Sequence, residues 1–401
     1  MNKTSLSPNP DRVQSIDALR GVAVLGMLII NIQSFSMISA AYVNPAAYGD
    51  LTGMNKVVWV LSHILADQKF MSIFSLLFGA GILLFSENVG KKGYLPVRFF
   101  YRRLLWLFAI GLIHGYIFWH GDILVAYAVC GALAFLFRRL SAWVLLMLGL
   151  IVFTIPSFNY WLFGESMNMW PPEAVASLND SWMPQQEAIG DEVAALTGGI
   201  TAQLTWRFPE TFEMETFVFM FWIGWRTFAM MLMGMSFYKL GILSGNLRKK
   251  DYGILAATAL PIGFLLIIIG VVKNFDYGWT VEYSMFFGWQ WNYIGSLFVA
   301  VGYVAIVVLI SKITKLSLLA KVGKLAFTNY LLMTLICTTL FYGHGFGLFG
   351  SIERQHQILI VMAIWTVLLF FSAFWLKRYQ FGPVEWLWRF LTYGNKPDFK
   401  K

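Results

Sequence analysis

Residues 15–21 read SIDALRG, and the apolar run that follows them is first interrupted at Asn31. Asp17 and Arg20 are three residues apart, which places both side chains on one face of a helix. They stand where that helix enters a membrane, and Asn31 lies roughly two helical turns below the opposite surface. Because polar groups in lipid are costly, we interpret Asp17, Arg20 and Asn31 as candidate functional residues.

The composition is typical of a membrane protein. Hydrophobic residues make up 58% of the 401 residues and charged residues 13%, whereas a soluble domain is about 25% charged. The apolar residues form long runs, which predict an all-α bundle of membrane-spanning helices. We predict one transmembrane domain, residues 18–392, between tails at residues 1–17 and 393–401. Ten spans are predicted, at residues 18–40, 57–86, 99–119, 122–139, 141–163, 216–240, 252–273, 285–311, 323–343 and 357–377.

The basic residues predict the orientation of this bundle. All but six of the 30 lysines and arginines fall in the tails, in the loops or at the ends of the predicted spans on one side of the bundle. Because such loops face the cytoplasm, both termini are predicted to be cytoplasmic. The net charge of +9 is then a consequence of topology, and it predicts no nucleic-acid partner.

The longest loop, residues 165–215, is predicted to lie outside the membrane. It carries nine acidic residues and one basic residue, Arg207. A loop of this length serves either as a lid or as a spacer. Within it, residues 180–196 have the pattern of one short amphipathic helix.

The histidines form the second informative group. All five fall toward the predicted outer face, and they are His63, His114, His120, His344 and His356. His114 and Asp122 bracket a tight turn, in which Asp122 either caps the next helix or orients a histidine that acts as a base. His63 and His120 remain further candidates for that base. The spacing matches no metal site, and no metal is expected.

Two cations fall inside predicted spans. Arg226 stands near the middle of the sixth span, where an arginine must face the bundle interior or a wet cavity. Lys69 interrupts the second span, and it either snorkels to the surface or pairs with Asp67. At the inner face, the fork-shaped guanidinium of Arg20 suits phosphate, although arginines there also bind lipid headgroups and mark topology.

Several stretches together resemble the YeiB family, a domain of unknown function in bacterial inner-membrane proteins. The resemblance covers nearly the whole chain and implies a multi-pass protein of the bacterial cytoplasmic membrane. The stretches that carry it are Asp17–Gly21 with Asn31, Lys69–Gly79, Gly121–Leu124 with Tyr127, Thr328–Leu332 with Asn329, and Phe381–Arg389.

The family is distantly similar to the transmembrane acyltransferases, which include the lysosomal heparan glucosaminide acetyltransferase. The glycan acyltransferases of that superfamily have a basic residue, ten intervening residues and then a histidine. Here Arg20 matches the basic residue, but Asn31 occupies the histidine position. The lysosomal enzyme also has asparagine there and a histidine further on, at a position that corresponds to Tyr42. A histidine from elsewhere, His114 or His63, would have to supply the base.

This resemblance implies acyl transfer from cytoplasmic acyl-CoA to an external or lipid-linked acceptor. Arg20, aimed by Asp17, would contact a phosphate of the donor. His114, oriented by Asp122, would remove the acceptor proton, and Asn31 would hydrogen-bond the thioester carbonyl. Further substrate-binding candidates are Lys69, Tyr127 and Arg226, and other candidate residues are His63, His120 and Asn329.

Two other classes of function stay open on sequence alone. One is a transporter of a small polar solute or lipid, with Lys69, Asp122 and Arg226 along its path. The other is a membrane factor without catalytic activity. Membrane lipids are expected partners in every case, and a homodimer is a further alternative.

Overall fold

A computed structural model of the chain describes residues 14–401, so most of the predicted tail at residues 1–17 lies outside the described residues. Apart from one isolated antiparallel bridge between Tyr379 and Lys400, the described residues hold no strand. The helices are α1 (Gln14–Ser36), α2 (Ser39–Val43), α3 (Gly53–Leu65), α4 (Lys69–Lys91), α5 (Pro96–Ile113), α6 (Leu124–Leu136), α7 (Ala142–Ser166), α8 (Pro172–Trp182), α9 (Gln186–Thr197), α10 (Ile200–Glu213), α11 (Gly224–Lys239), α12 (Lys249–Asp276), α13 (Trp289–Ser311), α14 (Ser317–Lys324), α15 (Ala326–Phe341), α16 (Arg354–Arg378) and α17 (Pro383–Tyr393).

The protein is an all-α, multi-pass membrane protein. Within residues 14–401, seven helical segments are long and apolar enough to cross a membrane. An eighth is added if α14 and α15, which meet at an angle of 79°, form one broken span. The other two predicted spans correspond to α5, which carries three arginines, and to α6, which has 13 residues. A straight crossing takes about 20 apolar residues, so α6 is too short to span the membrane alone.

The predicted outer loop is largely helical. Residues 180–196 do not form one helix, because α8 ends at Trp182 and α9 begins at Gln186. Helix α10 runs on through a π-helical stretch, Met214–Ile223, into α11. The combined segment, Ile200–Lys239, has 40 residues. At 1.5 Å per residue it is about 60 Å long, twice the hydrocarbon thickness, so its first half projects beyond the bilayer.

Hydrogen bonds join the basic loops to one another at one end of the bundle, which we call the basic end. Lys239 Nζ donates to Arg138 O at 3.0 Å, and Lys312 Nζ donates to Leu247 O at 2.8 Å. The loops that the charge pattern assigned to one side are therefore neighbours in the fold. Their location in the cytoplasm stays a prediction.

The opposite end of the bundle is covered by the acidic segment and its neighbours. Arg354, at the start of α16, donates through Nη2 to Pro45 O and Tyr48 O at 3.0 and 2.9 Å. Trp182 Nε1, at the end of α8, donates to Trp279 O at 2.7 Å. These contacts hold α8 and the loop after α2 against the ends of the long helices.

Helices α4 and α11 pack backbone against backbone through glycines. A Cβ on Gly79 would lie 2.0 Å from Met231 O, and a Cβ on Gly234 would lie 2.0 Å from Leu76 O. No side chain fits at those distances, so the two glycines allow the close approach. Small residues serve helix association in membranes in this way, because lipid itself supplies little hydrophobic driving force.

Replacing Gly79 by alanine should lower the free energy of unfolding by about 1–3 kcal/mol, because the backbone at Met231 must move. The matched control is Gly81→Ala on the same helix, where an added Cβ meets nothing within 4 Å. That change should be neutral or slightly stabilising, since alanine favours helix over glycine by up to about 1 kcal/mol. Thermal unfolding of both variants in detergent makes the comparison. Equal melting temperatures would contradict the close α4–α11 packing.

Candidate functional site

His114 and Asp122 form a buried hydrogen-bonded pair. His114 begins a five-residue π-helical turn, His114–Phe118, at the end of α5. Its Nδ1 lies 2.7 Å from Asp122 Oδ1, and the two residues are 2% and 4% exposed. Such π-helical turns are rare and frequently occur at functional sites. The connection between α5 and α6 therefore folds the imidazole onto the carboxylate inside the bundle.

Asp122 also caps the helix that follows it. Its Oδ2 accepts from Val125 N–H at 2.9 Å, which satisfies an otherwise unpaired donor in the first turn of α6. Asp122 therefore does both things that its position suggested: Oδ2 caps α6, and Oδ1 orients His114. Because a carboxylate oxygen accepts from Nδ1, the His114 tautomer inferred here carries its proton on Nδ1 and leaves Nε2 as an acceptor.

Nε2 of His114 faces a threonine hydroxyl on α15. Thr334 Oγ1 lies 3.0 Å from it, and Thr334 is 1% exposed. The ring of Tyr330, one turn earlier on the same helix, lies 5.1 Å from the imidazole ring. Asp122, His114 and Thr334 form one continuous chain of hydrogen bonds. Thr334 is absent from the candidates predicted from sequence, although a hydroxyl in an apolar helix was an available signal.

This cluster lies within the bundle, toward the end opposite the basic end. Thr211, in α10, donates through Oγ1 to Gly115 O at 3.0 Å. Thr211 belongs to the half of the Ile200–Lys239 segment that lies farther from the basic end. The depth of His114 in the membrane, which the sequence placed near the outer face, stays a prediction.

Asn31 lies on the side of α1 that approaches this cluster. Phe35, one turn further along α1, stacks on Trp119 with ring centroids 4.1 Å apart, and Trp119 lies 6.3 Å from the His114 ring. Asn31 itself is partly exposed. Side-chain hydrogen bonds within residues 14–401 do not involve its amide, which is therefore available to a ligand.

Tyr127 and Glu215 border the same region. Tyr127 Oη accepts from Ser75 Oγ at 3.0 Å. Glu215 Oε1 is buried and has no hydrogen-bond partner among the described residues. A Cβ on Gly115 would lie 3.1 Å from that oxygen and 3.5 Å from the Asp122 Cβ. Glycine at position 115 therefore lets a second carboxylate approach the turn that holds Asp122.

The other candidate bases have different neighbours. The ring of His120 packs against the rings of Trp119 and Trp206, with centroids 6.1 and 5.3 Å apart. His63 pairs instead with Asp67, Nδ1 to Oδ2 at 3.1 Å. In the part of the chain that the structure describes, no group of three or more His, Cys, Asp or Glu residues is arranged to hold a metal ion.

Lys69 points into the bundle and does not snorkel. It is fully buried, and its Nζ donates to His63 O at 2.7 Å and to Asn292 Oδ1 at 2.6 Å. Asn292 Nδ2 donates in turn to Asp67 Oδ2 at 2.7 Å. The predicted pairing of Lys69 with Asp67 is therefore bridged by Asn292, a residue that the sequence pattern did not single out.

Arg226 is also fully buried, and neutral groups surround it. It donates through Nη2 to Ser72 Oγ and Ser296 Oγ, both at 2.8 Å, and through Nη1 to Tyr293 O at 3.2 Å. Its guanidinium lies 4.6 Å from the centre of the Tyr293 ring. Asp67 is within electrostatic range of both Lys69 and Arg226. The Asp67 carboxylate is thus the negative charge that both buried cations share in the outer half of the bundle.

Asp17 and Arg20 lie at the basic end, away from the His114 cluster. Arg20 Nη1 is 3.2 Å from Asp17 Oδ1, and the side chains are 24% and 1% exposed. Helix α14 covers Asp17 closely, because a Cβ on Gly323 would lie 1.8 Å from Asp17 O. The buried carboxylate therefore holds a partly exposed guanidinium, as the SIDALRG spacing predicted.

Comparison with known proteins identifies the family of this chain. The chain is 31% identical to the uncharacterized protein YeiB of Escherichia coli (strain K12) over 396 residues, covering 95% of this chain and 96% of that protein. The chain belongs to the YeiB family. It is also 29% identical to the uncharacterized protein YxaH of Bacillus subtilis (strain 168) over 431 residues, covering 99% of each. Residues 237–395 match a family model described as a protein of unknown function, DUF418.

Two of the stretches that carried the YeiB-family resemblance meet in the structure. Glu385, from the C-terminal stretch, accepts from Phe327 N–H at 2.8 Å and from Thr328 N–H at 3.0 Å. These are free donors at the start of α15, so Glu385 caps the helix that carries Tyr330 and Thr334. Residues 383–393 thereby anchor that helix at the basic end.

Asn329 has a structural position at the same bend. It is fully buried, and its Nδ2 donates to Val322 O at 3.1 Å and to Ser372 Oγ at 2.9 Å. The amide therefore ties α15 to α14 and α16, and it does not face the His114 cluster. This placement removes Asn329 from the candidate site.

An open cleft of about 700 Å³ lies between α9 and α10 at the outer end. Glu192, on its wall, accepts from Ser39 N–H at 2.8 Å and from Ser39 Oγ at 3.2 Å. Burial raises the pKa of Glu192 to about 7, opposed by the hydrogen bonds from Ser39 and assisted by Glu210. Trp206, also on the wall, packs edge-on against His120 with centroids 5.3 Å apart.

The stability of this outer segment should fall as the pH rises from about 5 to 8. The folded-state pKa of Glu192 exceeds the ordinary value of 4.5, so the folded state holds the proton more tightly. Its stabilising contribution is complete below pH 4.5 and is lost as the pH passes 7. Glu192→Gln should flatten that part of the melting temperature profile, whereas Glu187→Gln, an exposed change on the same helix, should not. Identical slopes of melting temperature against pH in the wild-type protein and in both variants would contradict the assignment of this pH dependence to Glu192.

Proposed function

We propose that this YeiB-family protein transfers an acyl group from cytoplasmic acyl-CoA to an acceptor on the outer side of a bacterial inner membrane, with His114 as the base. The supporting observation is the buried Asp122–His114 pair. A carboxylate that orients an imidazole is the arrangement used to activate hydroxyl or amine groups. Burying such a pair inside a membrane bundle is costly, which favours a functional over a merely structural reason for its presence.

The chemistry assigned to these residues is an acyl substitution. His114 Nε2 takes the proton of a hydroxyl, and the oxygen forms a bond to the thioester carbonyl carbon. The carbon–sulfur bond then breaks, and the leaving thiolate takes the proton from His114. Asp122 stabilises the imidazolium that forms between these steps. Negative charge develops on the carbonyl oxygen, and two nearby donors suit it: the Asn31 amide, and the Tyr330 hydroxyl, which has no hydrogen-bond partner among residues 14–401.

The donor is proposed to enter from the basic end. Arg20 is exposed enough to meet a phosphate of coenzyme A, and Asp17 restricts its orientation. The distance of about 16 Å along α1 from Arg20 to Asn31 is bridged naturally by the extended pantetheine arm of the donor. Lys69 and Arg226 take no part in the proposed reaction, and we assign them a structural role in the outer half of the bundle.

A transporter is the competing function, and the two buried cations favour it. Lys69 and Arg226 share one carboxylate, so an anionic solute would complete their charge balance. Asp122, the third residue of the predicted path, belongs to the separate His114 cluster. That separation makes a single path through all three residues less favourable than the acyl-transfer scheme.

Binding of acyl-CoA to the purified protein separates the two functions. Calorimetry in detergent should show saturable binding of acetyl-CoA or octanoyl-CoA, weakened by Arg20→Ala and unchanged by Lys377→Ala, another basic residue at the same end. Loss of one charged hydrogen bond corresponds to about 1.5–3 kcal/mol. An absence of binding by the wild-type protein would reject the acyltransferase and leave the transporter.

A further inference from the structure

Thr334 has a histidine as a second acceptor, which Thr338 and Thr339 of the same helix lack. A helical threonine ordinarily donates to a carbonyl three or four residues earlier. Thr338 and Thr339 do so, each to Leu335 O, at 3.3 and 2.7 Å. Thr334 also reaches such a carbonyl, Tyr330 O at 3.3 Å, but it lies closer to His114 Nε2, at 3.0 Å. Its single proton therefore has two acceptors, of which the imidazole nitrogen is the nearer.

The hydrogen-bond directions along the cluster agree. Asp122 Oδ2 accepts from Val125 N–H, so the carboxylate is an acceptor at both oxygens. It thus holds the proton on His114 Nδ1 and leaves Nε2 to accept from Thr334. Acid, base and hydroxyl in this order form the arrangement that activates a hydroxyl nucleophile in acyl transfer.

We propose that Thr334 is the nucleophile that carries the acyl group between the donor and the final acceptor. This inference rests on the proposed acyltransferase function and adds a covalent step to it. The reaction then proceeds in two halves, with an acyl ester on Thr334 Oγ1 between them.

In the first half, His114 Nε2 takes the Thr334 proton while Oγ1 bonds to the thioester carbonyl carbon. The carbon–sulfur bond breaks, and the coenzyme A thiolate leaves with that proton. In the second half, His114 takes a proton from the acceptor hydroxyl or amine, which attacks the ester carbon. Thr334 Oγ1 departs and regains the proton, so the protein returns to its starting state.

The position of Thr334 supplies the physical reason for two steps. The cluster is buried, since His114, Asp122 and Thr334 are 2%, 4% and 1% exposed. In the proposed scheme the donor and the acceptor approach it from opposite faces. An acyl ester lets the first substrate leave before the second arrives.

The experiment traps the ester directly. Purified protein in nanodiscs is incubated with [1-¹⁴C]acetyl-CoA or [1-¹⁴C]octanoyl-CoA without acceptor, denatured and digested, and the labelled peptide is sequenced by mass spectrometry. Label is expected on Thr334 of the wild-type protein, and it should resist neutral hydroxylamine, as oxygen esters do and thioesters do not. Asp122→Asn should reduce the rate of labelling.

Matched variants link this ester to turnover. Thr334→Val, which keeps the side-chain shape, should lose the label and at least about 10²-fold in transfer rate. Thr334→Ser should retain both, and Thr338→Val should behave as wild type. Melting temperatures identify any variant that fails to fold, and the serine variant then carries the comparison.

The outcomes distinguish this inference from the function on which it rests. A wild-type protein that transfers acyl groups but carries no label at Thr334, or a folded Thr334→Val variant that transfers at the wild-type rate, overturns the covalent step and leaves the acyltransferase intact. A wild-type protein with neither transfer nor label with both donors rejects the acyltransferase and the covalent step together.

Discussion

Replacing His114 by alanine is expected to lower the rate of acyl transfer by about 10²–10⁴, the usual contribution of a general base. Asp122→Asn should cause a comparable loss, because an amide at position 122 disturbs the tautomer that leaves Nε2 free. Both variants should still bind acyl-CoA, since Arg20 lies at the basic end. The measurement is the steady-state rate of transfer in proteoliposomes, with acyl-CoA binding determined on the same preparations.

His120→Ala is the control for this prediction. His120 is buried near the same turn, but its ring packs against Trp119 and Trp206. Its loss should leave the rate within a few-fold of wild type. If the His114 and His120 variants both retained full transfer, the base would have to be a different group and the proposed mechanism would be wrong.

The second large effect concerns the stability of the outer half. Asp67→Asn should lower the free energy of unfolding by about 3 kcal/mol, because Lys69 and Arg226 would be left without a carboxylate. Adding Lys69→Met should restore part of that loss, since the second change removes one of the two cations. Thermal unfolding of the single variants and the double variant gives the coupling between the two positions.

An exposed acidic residue supplies the control for that cycle. Asp191→Asn, in α9, also removes one negative charge but lies outside the buried network, and it should change stability by less than about 0.5 kcal/mol. Strictly additive effects of Asp67→Asn and Lys69→Met would show that the Asn292 bridge does not couple them.

The local parts of the candidate site could be predicted from the sequence. His114 and Asp122 are eight residues apart across one tight turn, and Asp17 and Arg20 are three apart on one helix, so short-range geometry alone brings each pair together. Long apolar runs with charges gathered in one set of loops predicted the all-α membrane bundle.

The distant partners required the fold. Thr334 is 220 residues from His114, and Asn292 is 223 residues from Lys69. Each is a small neutral residue in an apolar helix, where its sequence neighbourhood does not distinguish a functional partner from a packing position.

Movement of an acyl group across the bilayer is the most direct test of the central claim. Proteoliposomes that contain wild-type protein with its basic end outward receive radiolabelled acyl-CoA outside and candidate acceptor inside. The account predicts labelled acceptor inside the vesicles and an equal quantity of free coenzyme A outside, both dependent on His114. Bound acyl-CoA with no consumption of thioester, or thioester consumption that persists unchanged in His114→Ala, would contradict it.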